Sequence, residues 1–261
     1  MKTVLFILLL CSFSLPSIAT ESAFDIEQVQ KAYTANNRIE IPLISWMDDG
    51  TAMFLLFSDG TVMEQDRTAK SRLASTQMRE EELKALLEAV SAQDGFWLLD
   101  ARYDLTAFYD QTLRTISLRI PGRKAIRVSV YGSFGSRSTG TPPPPRAFTE
   151  LIALLISLTP KNLRPWDPGY VEILWGDFEY SRRRPIRWPI DWPSLKSPLV
   201  RSVSYHAIEK IMLFPSAHLE ELDSFLKRIS DEEAVLIDGR KMSPEYRWPL
   251  RGEKQWSSWT Q

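Results

Sequence analysis

The apolar positions of this chain fall into short runs with two different periods. Between Ile41 and Gln65 three β-prone runs are separated by Asp48-Asp49-Gly50 and Ser58-Asp59-Gly60. Asp-Gly tolerates positive φ at both positions and joins strands tightly, so the pattern predicts a three-stranded meander. From Thr76 to Gln93, Leu83, Leu86, Leu87 and Val90 recur at helical spacing, with Glu80, Glu81 and Glu82 near the positive end of the helix dipole. That segment reads as an amphipathic helix stopped at Asp94-Gly95, and Phe96-Trp97-Leu98-Leu99 reads as a buried return segment. Alternation resumes with Ile116, Leu118 and Ile120, then with Ile126, Val128 and Val130, around a Pro121-Gly122 turn. Two such runs make a hairpin with one wet and one dry face. Residues 133–145, Ser- and Gly-containing and ending in four prolines, read as an exposed loop. Phe148, Leu151, Ile152 and Leu155 then mark a second helix.

Beyond residue 160 the composition turns Pro- and Trp-rich, which places a linker at 161–169. A strand at Tyr170–Trp175, an irregular stretch to Tyr205 and a strand at Ala207–Phe214 are expected next. A helix with Leu219, Leu222, Leu226 and Ile229 on one face follows, with Ser216 as its N-cap, and then a hairpin around Asp238-Gly239. Strands and helices occur without a βαβ rhythm. The expected fold is therefore α+β, mainly antiparallel sheets with a few amphipathic helices, in two subdomains at 41–160 and 170–250. A loose acidic lead-in at 20–40 and a tail at 251–261 flank them.

The first residues carry a different signal. Lys2 supplies a positive start, Val4–Leu10 has no polar side chain, and Pro16 precedes Ser17-Ile18-Ala19, with small residues where a signal peptidase needs them. Residues 1–19 therefore read as a signal peptide cut between Ala19 and Thr20. The apolar stretch is shorter than the roughly 20 residues of a membrane span, so no transmembrane segment is expected in the mature chain. Cys11 raises the alternative of a lipoprotein, which the bulky Leu10 disfavours. Because Cys11 is the sole cysteine, the processed chain has no thiol for a disulfide, a metal or a nucleophile. An extracytoplasmic location follows, periplasmic or secreted, and the absence of disulfides and of Asn-x-Ser/Thr sequons leans towards bacteria.

Charge narrows the function classes. A net charge of −1 on 261 residues gives no attraction to nucleic acid. His206 and His218 are the only histidines and stand apart, which leaves no zinc-ligand spacing and no cofactor motif. Gly132-Ser133-Phe134-Gly135-Ser136 misses the nucleophile-elbow pattern, and Ser224 of a Ser-x-x-Lys coincidence falls on the wet face of its helix. The remaining catalytic raw material is a set of carboxylates that turns do not explain, Asp104, Asp110, Asp177, Glu179 and Asp191. Two of them converging would suit a hydrolase acting on an envelope polymer.

The most distinctive stretch is Trp166–Trp192, with four of the nine tryptophans beside Arg182, Arg183, Arg184 and Arg187. Trp and Arg dominate binding hot spots, because a rigid aromatic buries large area and a guanidinium forks onto anions. Arg182, Arg183, Arg184, Arg187, Trp188 and Trp192 are thus candidate ligand-binding residues for another envelope protein or for an anionic or sugar-like ligand. The other reading makes Trp188-Pro189 and Trp192-Pro193 loop anchors on the sheet, with solvated arginines.

Two groups of motifs resemble a family of uncharacterised exported bacterial proteins. One runs from Phe57-Ser58-Asp59-Gly60-Thr61-Val62 through Gly95-Phe96-Trp97, Tyr103 and Asp110 to Val130-Tyr131-Gly132. The other comprises Pro165-Trp166-Asp167-Pro168, Trp188-Pro189 and Asp238-Gly239 with Tyr246-Arg247-Trp248-Pro249-Leu250. The resemblance implies export and lends no activity. The sequence therefore points to a soluble exported protein that acts by binding.

Overall fold

The computed structural model describes residues 24–37, 41–65, 73–106, 111–134, 142–158, 160, 162–205 and 207–253. The expected signal peptide with Ala19 and Thr20, Cys11, residues 135–141 of the proline loop, Asp110, His206 and the tail beyond Glu253 lie outside the described residues.

The first part of the chain holds α1 (Ile26–Asn36), β1 (Ile44–Asp48), β2 (Thr51–Leu56), β3 (Thr61–Gln65), β4 (Leu73–Gln77), α2 (Glu80–Ser91), α3 (Asp94–Trp97), β5 (Arg102–Asp104), β6 (Leu113–Leu118), β7 (Ile126–Tyr131) and α4 (Arg146–Leu158). The second holds β8 (Arg164–Pro165), β9 (Tyr170–Asp177), β10 (Ile186–Arg187), β11 (Val200–Tyr205), β12 (Ile208–Pro215), α5 (Leu219–Leu226), β13 (Val235–Ile237) and β14 (Arg240–Arg247). Two sheets result, ordered β5-β7-β6-β1-β2-β3-β4-β8 and β10-β13-β14-β9-β12-β11. Pairing is antiparallel except for β5–β7 and β10–β13. The molecule is an α+β protein with two mostly antiparallel sheets.

Alternation along β1–β3 decides the layering. Ile44, Trp46, Phe54, Leu56 and Val62 point to one side, where α2, α3 and α4 cover them with Leu86, Val90, Phe96, Phe148, Leu151 and Leu155. Met47, Leu55, Phe57 and Met63 point to the other side and meet Val171, Ile173, Trp175 and Met242 of the second sheet. The centre of the first sheet, β1–β3, is buried on both faces, which is why those strands read as nearly continuous apolar runs, whereas β6 and β7 keep their alternation. The far face of the second sheet is covered in part by α1, through Val29 against Tyr170 and Leu213. β8, inside the expected linker, pairs with β4, and Trp166 packs on the core shared by the two sheets.

Several local expectations need correction. Residues 73–77 form β4, so α2 starts at Glu80 rather than Thr76; the turn there is set by Arg79, whose N–H donates to Glu82 Oε2 at 2.9 Å. Phe96–Leu99 is not a buried run: Phe96 is fully buried within α3, while Leu98 is 85% exposed. The lead-in contains α1, capped by Asp25 Oδ1 accepting from Gln28 N–H at 2.9 Å. Ser216 opens a 3-10 turn and does not cap α5. The irregular stretch before Tyr205 contains β10 and β11.

Candidate functional site

The Trp- and Arg-rich stretch forms one edge of the second sheet. β10 pairs in parallel with β13, Ile186 N–H donating to the Ala234 carbonyl at 2.9 Å and Trp188 N–H to the Leu236 carbonyl at 3.1 Å. Pro185 and Pro189 bracket it; proline lacks the N–H a ladder needs, so the strand stays short. The chain then folds back under its own tryptophans. Trp188, 8% exposed, donates Nε1–H to the Pro193 carbonyl at 2.9 Å and meets Trp175 edge-on at 4.9 Å. Trp192, half-buried, sits edge-on to Trp188 at 4.8 Å, with Phe214 at 5.0 Å and Phe225 at 5.5 Å. Both indoles are thus locked into the core that α5 closes.

Over this aromatic base lies a cleft of about 320 Å³, lined by Arg187, Trp188, Ile190, Trp192, Ser194 and Asp238 among others. Asp238 and Gly239, with φ of 49° and 81°, make the tight β13–β14 turn that the sequence signals. Asp238 Oδ2 accepts from Leu195 N–H at 2.8 Å, which ties the turn to the loop after Trp192. Ile190 stands 95% exposed at the rim, and Tyr180, 77% exposed, packs edge-on to Phe178 upstream.

The four arginines separate. Arg183 pairs with Glu232 at 2.6 Å on the loop before β13. Arg182, Arg184 and Arg187 are exposed, and their side chains pair with no other described residue. Arg187 alone of the four lines the cleft.

Among the described residues, the unexplained carboxylates do not converge there. Asp104 pairs with Arg102 at 3.0 Å in the first sheet. Asp177 accepts from Glu179 N–H at 3.2 Å, and Glu179 accepts from Lys241 N–H at 3.0 Å, so both serve the turn after β9. Asp191 is exposed and outside the cleft lining. His218 packs against Phe24 with the rings tilted and their centroids 4.7 Å apart, and Ser224 is exposed.

Sequence reasoning missed a second polar constellation, on the α1 side of the second sheet. Glu172, 3% exposed, receives Arg201 Nη2 and Arg247 Nη2, each at 2.8 Å, and Arg247 Nη1 reaches Glu253 at 2.7 Å. Burial works against the charge of Arg247, but Glu253 and Glu172 outweigh it and raise its pKa. Beside this cluster Asn36 Nδ2–H donates to Tyr170 Oη at 3.0 Å, and Gly252 N–H donates to the Asn36 carbonyl at 2.8 Å. The arrangement neutralises itself and fastens α1 to the C-terminal segment. The available signal was Glu172, an acidic residue inside the apolar run Tyr170–Trp175, on the face opposite Val171 and Ile173.

Among the described residues no group of three His, Cys, Asp or Glu side chains is placed to hold a metal ion, and no helix is long and apolar enough to cross a membrane. Comparison with family models, with curated proteins and with solved structures yields no match.

Proposed function

We propose that this is an exported bacterial protein of the envelope or extracellular space that acts by binding, without catalysing a reaction, and that residues 175–192 are its recognition surface. The observation that carries the proposal is local. Arg182, Arg184 and Arg187, without partners among the described residues, lie in one short segment with Tyr180 and Ile190, two large side chains turned to solvent. Exposed apolar groups beside unpaired guanidiniums suit a partner that supplies both area and polar acceptors. Core-locked Trp188 and Trp192 hold that surface rigid, which lowers the entropy cost of binding. Asp238 is the sole carboxylate lining the cleft among the described residues, so the acid–base pair of a hydrolase finds no support there.

Export rests on Lys2, the apolar run and Ser17-Ile18-Ala19, and the resemblance to exported bacterial proteins agrees with it. N-terminal sequencing of protein from the producing cell should begin near Thr20; a chain that keeps Met1 would contradict export. The binding reading is tested by immobilising the processed chain and the triple reversal Arg182→Glu, Arg184→Glu, Arg187→Glu, then capturing from envelope extract. Capture should be lost in the reversal while its melting temperature holds. Equal capture by a stably folded reversal would remove this surface.

A further inference from the structure

Resting on the binding reading above, we infer that the cleft between β10, the Trp192 loop and the β13–β14 turn takes a neutral saccharide. The argument starts from charge. Arg187 and Asp238 line one cleft with opposite signs, so a simple anion meets Asp238 and a metal ion or amine meets Arg187. A polyol satisfies both, because its hydroxyls donate to the carboxylate and accept from the guanidinium. Asp238 has one oxygen engaged by Leu195 N–H, and Ser194 Oγ accepts from Lys196 N–H at 3.2 Å. That leaves the second carboxylate oxygen and the Ser194 hydroxyl proton for a ligand.

The walls point the same way. Trp192, Pro189 and Ile190 give the cleft an apolar side, which the C–H face of a sugar ring covers and a small zwitterion does not. A free amino acid would depend on the charge pair, but both charges are exposed, where water screens an ion pair and leaves it little net worth. The volume of about 320 Å³ sits at the lower end of the roughly 300–1,000 Å³ of small-molecule sites, room for a short glycan segment. The geometry is set before binding: the Asp238-Gly239 turn is tied to Leu195, and Trp192 is wedged between Phe214 and Phe225.

The test is to present the full processed chain to an array of neutral and acidic oligosaccharides, with inorganic phosphate and free amino acids in parallel, and to titrate the best probe. The expected result is a neutral glycan whose affinity changes little between low and high salt. Asp238→Asn keeps the acceptor for Leu195 N–H and tolerates the turn, so it should hold its melting temperature and lose at least tenfold in affinity, as should Arg187→Ala. Selective binding of acidic glycans, phosphate or amino acids would overturn the inference, as would undiminished neutral-glycan binding by both variants. If no glycan binds but capture of a protease-sensitive partner still requires the arginines, the saccharide inference fails alone. If neither binds, the recognition surface falls with it.

Discussion

Tyr170 couples burial to pH at a single residue. Burial pushes its phenol up to about 12, against the smaller pull of the Asn36 hydrogen bond. The unfolded chain ionises near 10, so between pH 10 and 12 it holds fewer protons than the folded one, and stability falls as pH rises through that window. The rise from 10 to about 12 corresponds to about 2–3 kcal/mol. Melting temperature followed from pH 9 to 12 should drop more steeply in the wild type than in Tyr170→Phe, which starts about 1 kcal/mol less stable at pH 9 for want of the hydrogen bond and lacks the alkaline loss. Parallel curves would contradict the burial argument. Residue types were legible in the sequence here, but partners were not. Nothing in the spacing of Glu172, Arg201 and Arg247 brings them together; the sheet does, by setting β14 beside β9 and letting Arg201 of β11 reach across β12.

The elements that the sequence made legible are those whose ends carry local chemistry. Gly60, at φ 82°, turns β2 into β3 and donates its N–H to the Phe57 carbonyl at 3.0 Å. A Cβ at this position would stand 2.9 Å from the Met78 carbonyl oxygen, so Gly60→Ala meets both backbone strain and a clash. It should cost about 1–3 kcal/mol, read from denaturant midpoints, whereas Gly122→Ala, whose Cβ meets nothing within 4 Å, should cost less. Equal losses would mean that Met78 is not packed as described. Short strands with no turn signal of their own escaped the sequence. β4 alternates weakly as Leu-Ala-Ser-Thr-Gln, and β10 holds only two residues between prolines, so neither carries a run long enough to read. α1 had a readable start at Asp25 with Ile26, Val29 and Tyr33 at helical spacing, hidden by its polar composition.

At the scale of the whole molecule the two sheets are bound by one core, in which Met47, Leu55, Phe57 and Met63 face Val171, Ile173, Trp175 and Met242. The α+β class was readable from strand and helix periods, but this shared core was not, because face-to-face packing leaves no mark on sequence order. Its consequence is cooperative: urea unfolding followed by tryptophan fluorescence and by far-UV circular dichroism should give one coincident transition, since neither sheet can shed the other without exposing that core. Two separated transitions would contradict it. The same core bears on recognition, because it divides the candidate residues between two tasks. Trp188→Ala empties a buried site and should cost about 3–5 kcal/mol of stability. Arg182, Arg184 and Arg187 reach solvent without partners among the described residues, so their reversal should leave stability nearly untouched. The most direct measurement is the affinity of the captured ligand for wild type and for the triple Arg→Glu reversal, taken beside both melting temperatures. The account predicts a loss of at least tenfold in affinity with melting temperatures within about 2 °C; unchanged affinity in a reversal that melts with the wild type would contradict it.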